Sequence, residues 1–152
     1  MKKMLLTIFV TLAAIHLQAA IAPLSQDKLE KQSELIIVGK VIGLETKVQK
    51  SKIEQSFGIH RDRIYNLKIE IERIHKASSD QTNFNKKKLF IEAWKSIIRI
   101  PPLPGPQGHS NIPRIGDMVK LYLVRNNTKK MWEPILPNGI QIIKEELKAK
   151  GK

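Results

Sequence analysis

Apolar and polar residues alternate with a period of two along the middle of this chain. The clearest run of alternating apolar positions is Tyr65, Leu67, Ile69 and Ile71. The positions between and after them are Asn66, Lys68, Glu70 and Glu72. A period of two is typical of a β-strand with one buried and one solvated face. The phase breaks at Arg73 and Ile74, which predicts a bulge or the end of the strand.

Four other segments have the composition of strands, because β-branched or alternating apolar residues dominate them. They cover residues 35–44, 88–94, 117–124 and 131–143. In the segment 117–124, Val119, Leu121 and Leu123 are predicted to point inward. The last segment is interrupted by Pro134 and by a turn signal at residues 137–139.

The first twenty residues have the three parts of a secretory signal peptide. Lys2 and Lys3 form a positive start, residues 5–15 an apolar run, and the small residues that follow favour cleavage after Ala19 or Ala20. The apolar run is shorter than the ~20 residues that span a bilayer. A retained membrane anchor is therefore the weaker alternative, and the predicted location is exported, either periplasmic or extracellular.

One domain is predicted after the signal peptide at residues 1–20. Residues 21–34 form a short helical lead-in, in which Ser25 caps a helix over residues 24–34. Residues 35–143 form the β domain, and residues 144–152 a basic C-terminal tail. Five strands with a long excursion between the third and fourth have the order of an OB-like barrel. The predicted fold is therefore mainly β: a five-stranded OB-like Greek-key barrel with a short N-terminal helix.

Three segments carry a resemblance to a known family. They are residues 33–41 (SELIIVGKV), residues 65–76 (YNLKI at the start and IHK at the end) and residues 116–123 (GDMVKLYL). In this order they resemble the netrin-like module shared with tissue inhibitors of metalloproteinases. The resemblance implies an OB-type fold and a role in binding rather than chemistry. It does not imply that family's route of inhibition, which uses an N-terminal cysteine, because this chain contains no Cys.

Composition narrows the function classes. The 152 residues include 27 Lys and Arg against 14 Asp and Glu, which gives a formal net charge of +13. A hydrophobic fraction of 41% is enough for a core at this length and argues against a disordered basic tail. The absence of Cys excludes disulfides, iron–sulfur clusters, Cys-ligated zinc and thiol nucleophiles.

The segment between the third and fourth strands is predicted to carry recognition. Residues 100–113 contain five prolines, which predict a long, stiff loop. The candidate partner-binding residues in and beside it are Trp94, Arg99, Pro101, Pro102, Leu103, Pro104 and His109. Trp and Arg are enriched at interface hot spots, and prolines reduce the entropy lost on binding. The alternative is a structural lid, in which Ile100, Leu103 and Ile112 pack over the barrel mouth.

A secreted hydrolase is the first alternative function. Ser110, His109 and Asp117 include the parts of a hydrolytic triad, but Ser110 lacks the strand–turn–helix setting that exposes a nucleophile. Glu70 and Glu72 share a strand face at about 7 Å, which suits a carboxylate pair. Pairing of these two residues with lysines on a solvated face explains them without chemistry.

No cofactor or metal is predicted. His60, His75 and His109 are the only histidines after the signal peptide, and their spacing matches no common metal-ligand pattern. A metal site would therefore require the fold to bring all three together.

An electrostatic binder of an anionic polymer or nucleic acid is the second alternative. The lysines cluster in predicted loops and termini, which indicates diffuse attraction to anionic surfaces. Phe90 and Trp94 would be the stacking platform, but Glu70 and Glu72 would repel phosphate, so nucleic acid is disfavoured. The sequence favours an exported, non-enzymatic module without a stable membrane anchor. It would bind an envelope or extracellular partner through its loops, chiefly residues 99–113.

Overall fold

The computed structural model describes residues 21–51, 58–78, 87–102, 105–129 and 131–143. The predicted signal peptide at residues 1–20 and the basic tail at residues 144–152 lie outside these ranges. The elements are α1 (Gln26–Gln32), β1 (Leu35–Lys50), β2 (Ile59–Ala77), β3 (Lys88–Ile100), β4 (Met118–Asn126), β5 (Met131–Pro134) and β6 (Ile140–Ile143). The chain is therefore mainly β, as the alternation predicts.

Five strands form a closed ring. They are hydrogen-bonded in the order β1-β2-β3-β5-β4, and β4 pairs back with β1. Neighbours are antiparallel except β3 and β5, which are parallel where Ile91 pairs with Trp132. Residues 118–121 of β4 pair with β6 and also with β1, so these two strands lie on opposite edges of β4. β5 and β6 are thus two pieces of the extended segment predicted at residues 131–143, separated by residues 135–139.

The interior of the ring holds the main hydrophobic core. The seven positions predicted to point inward all contribute to it. Five of them are fully buried: Leu67, Ile69, Val119, Leu121 and Leu123. Tyr65 and Ile71 are half-buried and pack against the same cluster. The predicted strand phase is therefore confirmed in β2 and β4.

β1 and β2 are longer than the predicted strands. They have 16 and 19 residues, whereas the sequence predicted strands over residues 35–44 and 65–72. β3 is also longer than the predicted strand over residues 88–94, so Arg99 and Ile100 belong to a strand and not to the predicted loop. Residues 41–50 of β1 pair with β2 but not with β4, so they form a two-stranded ribbon outside the ring. Exposed charged residues in this part of β1 interrupt the apolar alternation by which a strand is recognised in the sequence. The phase break predicted at Arg73 and Ile74 is confirmed as two bulges, because Glu72 and His75 have no partner in β1.

A second, smaller hydrophobic cluster lies outside the ring, beneath α1. Leu29 is its fully buried helical residue and packs with Ile36, Tyr122 and Ile135. The helix is shorter than the predicted range of residues 24–34, and the Ser25 side chain makes no capping hydrogen bond at its N-terminus. Burial of Leu29, rather than a side-chain cap, therefore stabilises α1.

Candidate binding pocket

A pocket of about 520 Å³ lies on the outer face of the sheet. Ile64, Trp94 and Val124 are among its lining residues. Each lies an odd number of positions from a core residue of its own strand, namely Leu67, Ala93 and Leu123. Ile64 is also directly opposite Trp94 in the β2–β3 ladder. Side chains alternate between the two faces of a strand, so all three point away from the ring interior. The pocket is therefore separate from the main core.

One wall of the pocket is the returning part of the Pro-rich loop. The Ser96 N–H donates to the Gln107 carbonyl at 3.0 Å, and the His109 N–H donates to the Trp94 carbonyl at 2.8 Å. Gly108 lies between these contacts with a φ of +100°, and a Cβ there would collide with the Trp94 carbonyl. Only glycine meets both conditions without strain. The loop therefore folds back along β3.

His109 is buried in this wall. Its Nδ1 accepts from the Trp94 N–H at 3.1 Å, and its Nε2 lies 3.1 Å from the Pro134 carbonyl. A neutral ring with its proton on Nε2 satisfies both contacts. Burial lowers the pKa of His109, although the carbonyls of Pro134 and Trp94 partly oppose this effect. His109 thus joins the loop to β3 and to the end of β5 without carrying a charge.

A buried ion pair between Arg99 and Asp62 lies on one side of Trp94. Their side chains are only 8% and 10% exposed. Arg99 also donates to the carbonyls of Arg61 and Ile98, each at 3.0 Å. His60 is opposite Arg99 in the ladder and is fully buried. Neither ring nitrogen of His60 nor the Nε of Arg99 has a hydrogen-bond partner among the described residues.

A second charged cluster lies on the other side of Trp94 along β3. The Lys129 Nζ is 2.5 Å from Glu92 Oε1 and 2.9 Å from Glu133 Oε1. Burial disfavours the charged ammonium, but the hydrogen bonds and charges of the two carboxylates outweigh it and raise the pKa of Lys129. Lys129 therefore stays protonated and ties the turn after β4 to β3 and β5.

The end of β5 and the segment after it form another wall. Pro134, Ile135 and Leu136 line the pocket there. The Ile135 N–H donates to the Tyr122 carbonyl at 2.9 Å, and the Gly139 N–H donates to the Ile135 carbonyl at 2.7 Å. A Cβ on Gly139 would collide with the Ile135 backbone. This tight turn places Ile135 between the pocket and the second hydrophobic cluster.

The same turn holds the N-terminal segment and the loop. Asn138 accepts the Leu24 N–H at 3.0 Å and donates to the Leu24 carbonyl at 2.8 Å. The Ser110 N–H donates to the Pro137 carbonyl at 2.7 Å. Residues 135–139 therefore connect the lead-in, the Pro-rich loop and the pocket wall.

The fold brings together some of the predicted partner-binding residues. Trp94, Arg99 and His109 all line the pocket. Pro101 and Pro102 are exposed and do not line it. The other two predicted residues, Leu103 and Pro104, lie outside the described residues.

The structural lid is present only in part. Ile112 is half-buried against the main core, whereas Ile100 is 60% exposed. Ile100 is opposite Ile59 in the ladder and two positions from Ile98, and all three side chains are exposed. Ladder partners and alternate residues share a face. Ile59, Ile98 and Ile100 therefore form an apolar patch, the tip patch, next to Pro101.

The residues of the hydrolytic alternative are not joined to one another. Both ring nitrogens of His109 face backbone groups of Trp94 and Pro134. Asp117 accepts the Arg114 N–H at 2.7 Å, in the turn that leads into β4. Ser110 is exposed. In the described part of the chain, neither His109 nor Asp117 is therefore hydrogen-bonded to the Ser110 hydroxyl.

The two carboxylates of β2 lie on an exposed part of the sheet. Glu70 is flanked in the ladders by Lys40 of β1 and Lys88 of β3. Glu72 is at a bulge, so it has no ladder partner in β1. Opposite charges at directly facing positions stabilise a sheet, which explains Glu70 without a catalytic role.

Metal-ligand clusters and membrane-spanning helices are both absent from the described residues. No group of three or more His, Asp or Glu side chains in this part of the chain could hold a metal ion. Within the same ranges, no helix is long and apolar enough to cross a membrane.

Several pocket residues were not singled out from the sequence. They are Ile64, Glu92, Val124, Lys129, Glu133 and Ile135. One signal was available: Ile64 and Val124 are apolar at positions where the strand alternation requires a solvated residue. An apolar residue on the outer face indicates that something covers that face. The charged members had no comparable signal, because their partners are distant in sequence or lie in a turn.

Comparison with known proteins gives no further guide to this pocket. No protein-family model, curated protein or solved structure matches the chain.

Proposed function

We propose that this protein is an exported, non-enzymatic binding module that recognises an envelope or extracellular protein. The pocket and the adjacent residues 99–113, which are the end of β3 and the Pro-rich segment after it, form its binding surface. The observation that carries the proposal is the placement of Trp94, Arg99 and His109 around one pocket of about 520 Å³. This volume lies within the range of ~300–1,000 Å³ that is usual for ligand sites. The tip patch and Pro101 are further exposed apolar surface at the end of the β2–β3 ladder, outside the pocket lining.

The fold assignment is part of the proposal. The ring order β1-β2-β3-β5-β4, with its parallel β3–β5 pairing, supports an OB-like Greek-key barrel. The netrin-like resemblance is supported by the three sequence segments alone. Both assignments favour binding, since OB-type modules bind through their loops and outer faces.

Export is proposed on the N-terminal sequence. Cleavage after Ala19 or Ala20 would leave intact the segment that Asn138 holds at Leu24. The intact mass of protein recovered outside the cytoplasm tests this. A mature chain starting at Ala20 or Ile21 supports export, and recovery of the full-length chain in the membrane fraction contradicts it.

A capture experiment tests the binding role. The purified protein is immobilised and incubated with the exported fraction of its own cells at about 0.05 M and 0.5 M salt. The variant Val124→Phe places a larger side chain in the pocket, and Val48→Phe adds the same side chain at an exposed position outside the pocket. We expect one identified protein to be retained at both salt concentrations by the wild type and by Val48→Phe, and lost with Val124→Phe.

Other outcomes would favour the alternatives. Broad capture that disappears at high salt would favour an electrostatic binder of anionic polymers. A hydrolytic activity abolished by Ser110→Ala would place the protein among hydrolases. Retention that is insensitive to Val124→Phe would separate binding from the pocket and contradict the proposal.

A further inference from the structure

We propose that the pocket receives an uncharged apolar group, namely an aliphatic or aromatic side chain of the protein partner. This inference rests on the proposed function and specifies what enters the pocket. It excludes an anionic occupant, although the net charge of the chain is +13.

Apolar side chains outnumber polar ones in the uncharged part of the lining. They come from β2, β3, β4, β5, the loop and the segment after β5, and they are Ile64, Trp94, Pro106, Val124, Pro134, Ile135 and Leu136. The uncharged polar members are Gln32, Gln49 and Ser51. Trp94 lies centrally, between Glu92 and Arg99 along β3. An apolar occupant would therefore replace water against a surface that gains from losing it.

The charged residues of the lining are already paired within the protein. Arg99 contacts Asp62 and two backbone carbonyls. Lys129 lies between Glu92 and Glu133. The Arg99 Nε has no partner among the described residues, but it is fully buried and so inaccessible to an occupant. A charge in the pocket would therefore have to displace one of these pairs, or be buried without a partner of its own.

The remaining ionisable group does not change this balance. His109 uses both ring nitrogens on backbone groups. Burial also disfavours the imidazolium, which lowers the pKa of His109. The occupant therefore meets a neutral histidine. Because burying an unpaired charge costs more than burying a neutral group, the pocket selects an uncharged occupant over an ion of the same shape.

Three ring probes of the same shape test this selection. They are 4-methylbenzyl alcohol, 4-methylbenzoate and 4-methylbenzylammonium, which share one ring and differ in charge. Each is titrated into the full chain while the NMR signal of the Trp94 indole N–H is followed. We expect the alcohol to bind at least about ten-fold more tightly than either ion, a difference of ~1.4 kcal/mol. Its affinity should not depend on salt.

Variants show whether binding occurs in this pocket. Val124→Phe and Leu136→Phe fill it from two different walls, so failure of one variant to fold leaves the other as a test. Val48→Phe is the matched control outside the pocket. The alcohol should lose its affinity for every folded pocket variant and keep it for the control. Tightest binding of the benzoate, tightest binding of the ammonium, or binding of none of the three probes would overturn the inference.

The inference and the proposed function fail in different ways. Selective binding of the alcohol without capture of any protein would leave an apolar pocket and overturn the protein-binding role. Capture of one protein that Val124→Phe abolishes, together with preference for a charged probe, would keep the protein-binding role and overturn the neutral occupant.

Discussion

The ring interior and the outer pocket are built on the same strands but organised differently. On β2, Leu67 and Ile69 point into a continuous core, whereas Ile64 points into a pocket whose walls come from two loops and a turn. The interior is closed by side chains that alternate along five strands. The pocket exists only because residues 105–109 and 134–136 lie over the outer face. Local pattern therefore specifies the interior, and long-range contacts create the pocket.

The largest expected effect separates the two regions on a single strand. Ile69→Ala should lower the free energy of unfolding by about 2–5 kcal/mol, because it leaves a cavity in a closed core. Ile64 is also buried, at 4% exposure, but the space that Ile64→Ala leaves opens into the pocket and can fill with water, so the cost should be at the lower end of that range, about 2 kcal/mol. Urea denaturation measures both. An equal or larger cost at Ile64 would contradict the distinction.

The outward-facing lysines provide a control for strand phase. Lys68→Ala and Lys120→Ala should each change the free energy of unfolding by about 1 kcal/mol or less, because Lys68 only contacts the Phe90 ring and Lys120 the Tyr122 ring and Glu30. Leu121→Ala, adjacent to Lys120, should behave like Ile69→Ala. Similar losses at lysine and core positions would mean that the inward face has been assigned to the wrong residues.

The next effect concerns the loop wall of the pocket. Gly108→Ala should cost about 2–3 kcal/mol, from a left-handed φ and from lost hydrogen bonds to β3. Gly105→Ala is the matched control, because its φ is +123° but no atom lies within 4 Å of the added Cβ. It should cost only about 1–2 kcal/mol, from backbone strain.

Hydrogen exchange locates the damage in the loop variants. In Gly108→Ala, the amides of Ser96 and His109 should exchange faster than in the wild type. The amides of β4 should exchange only as fast as the change in global unfolding free energy requires. Equal costs for the two glycine variants would show that the loop does not depend on close approach to β3.

A smaller effect concerns the turn that supports the pocket. Asn138→Ala removes two hydrogen bonds to the Leu24 backbone and should lower the free energy of unfolding by about 1–2 kcal/mol. Faster hydrogen exchange at Leu24 should accompany it. Asn127→Ala, at an exposed turn position, is the control and should be close to neutral. Unchanged exchange at Leu24 would show that Asn138 does not hold the N-terminal segment.

The smallest expected effect is a pH dependence that arises in the pocket wall. Burial lowers the pKa of His109 in the folded protein below its ordinary value of 6.5. As pH falls through 6.5, the unfolded chain therefore takes up a proton that the folded protein does not. The contribution of His109 to stability should decrease as the pH falls from 6.5 to the lower pKa that His109 has in the folded protein. Below that pKa both states are protonated, so the contribution should level off.

The comparison with His109→Gln isolates this contribution. Unfolding free energies of both proteins are measured between about pH 5 and 7.5. The wild type should lose more stability than the variant as the pH falls. A wild type that gains stability relative to the variant on acidification would contradict burial of a neutral His109.

Much of the β framework could be predicted from the sequence. The period of two from Tyr65 to Ile71 is a local property, so it identifies the inward face of β2 without knowledge of any partner strand. The same holds for Val119, Leu121 and Leu123 in β4. The sequence does not reveal the outer parts of β1 and β2, because charged and polar residues on both faces leave no apolar alternation there. One face of β2 is nevertheless buried, at His60 and Asp62.

The pocket could be predicted only in fragments. Residue type and proximity to the Pro-rich loop predict Trp94, Arg99 and His109 as binding residues, and all three line the pocket. The same grounds predict Pro101 and Pro102, which lie elsewhere on the surface. Residue type therefore indicated which side chains could contribute to a site, but not which would meet.

Sequence alone determined the strand phase, the positive charge and the absence of cysteine chemistry. The tertiary structure decided where the Pro-rich loop turns back and which charges are paired. Arg99 meets Asp62 across 37 residues, and His109 meets Pro134 across 25 residues. Such contacts depend on ring closure and strand register, which no local pattern encodes. For that reason a strongly basic chain can fold around a pocket whose charges are paired internally.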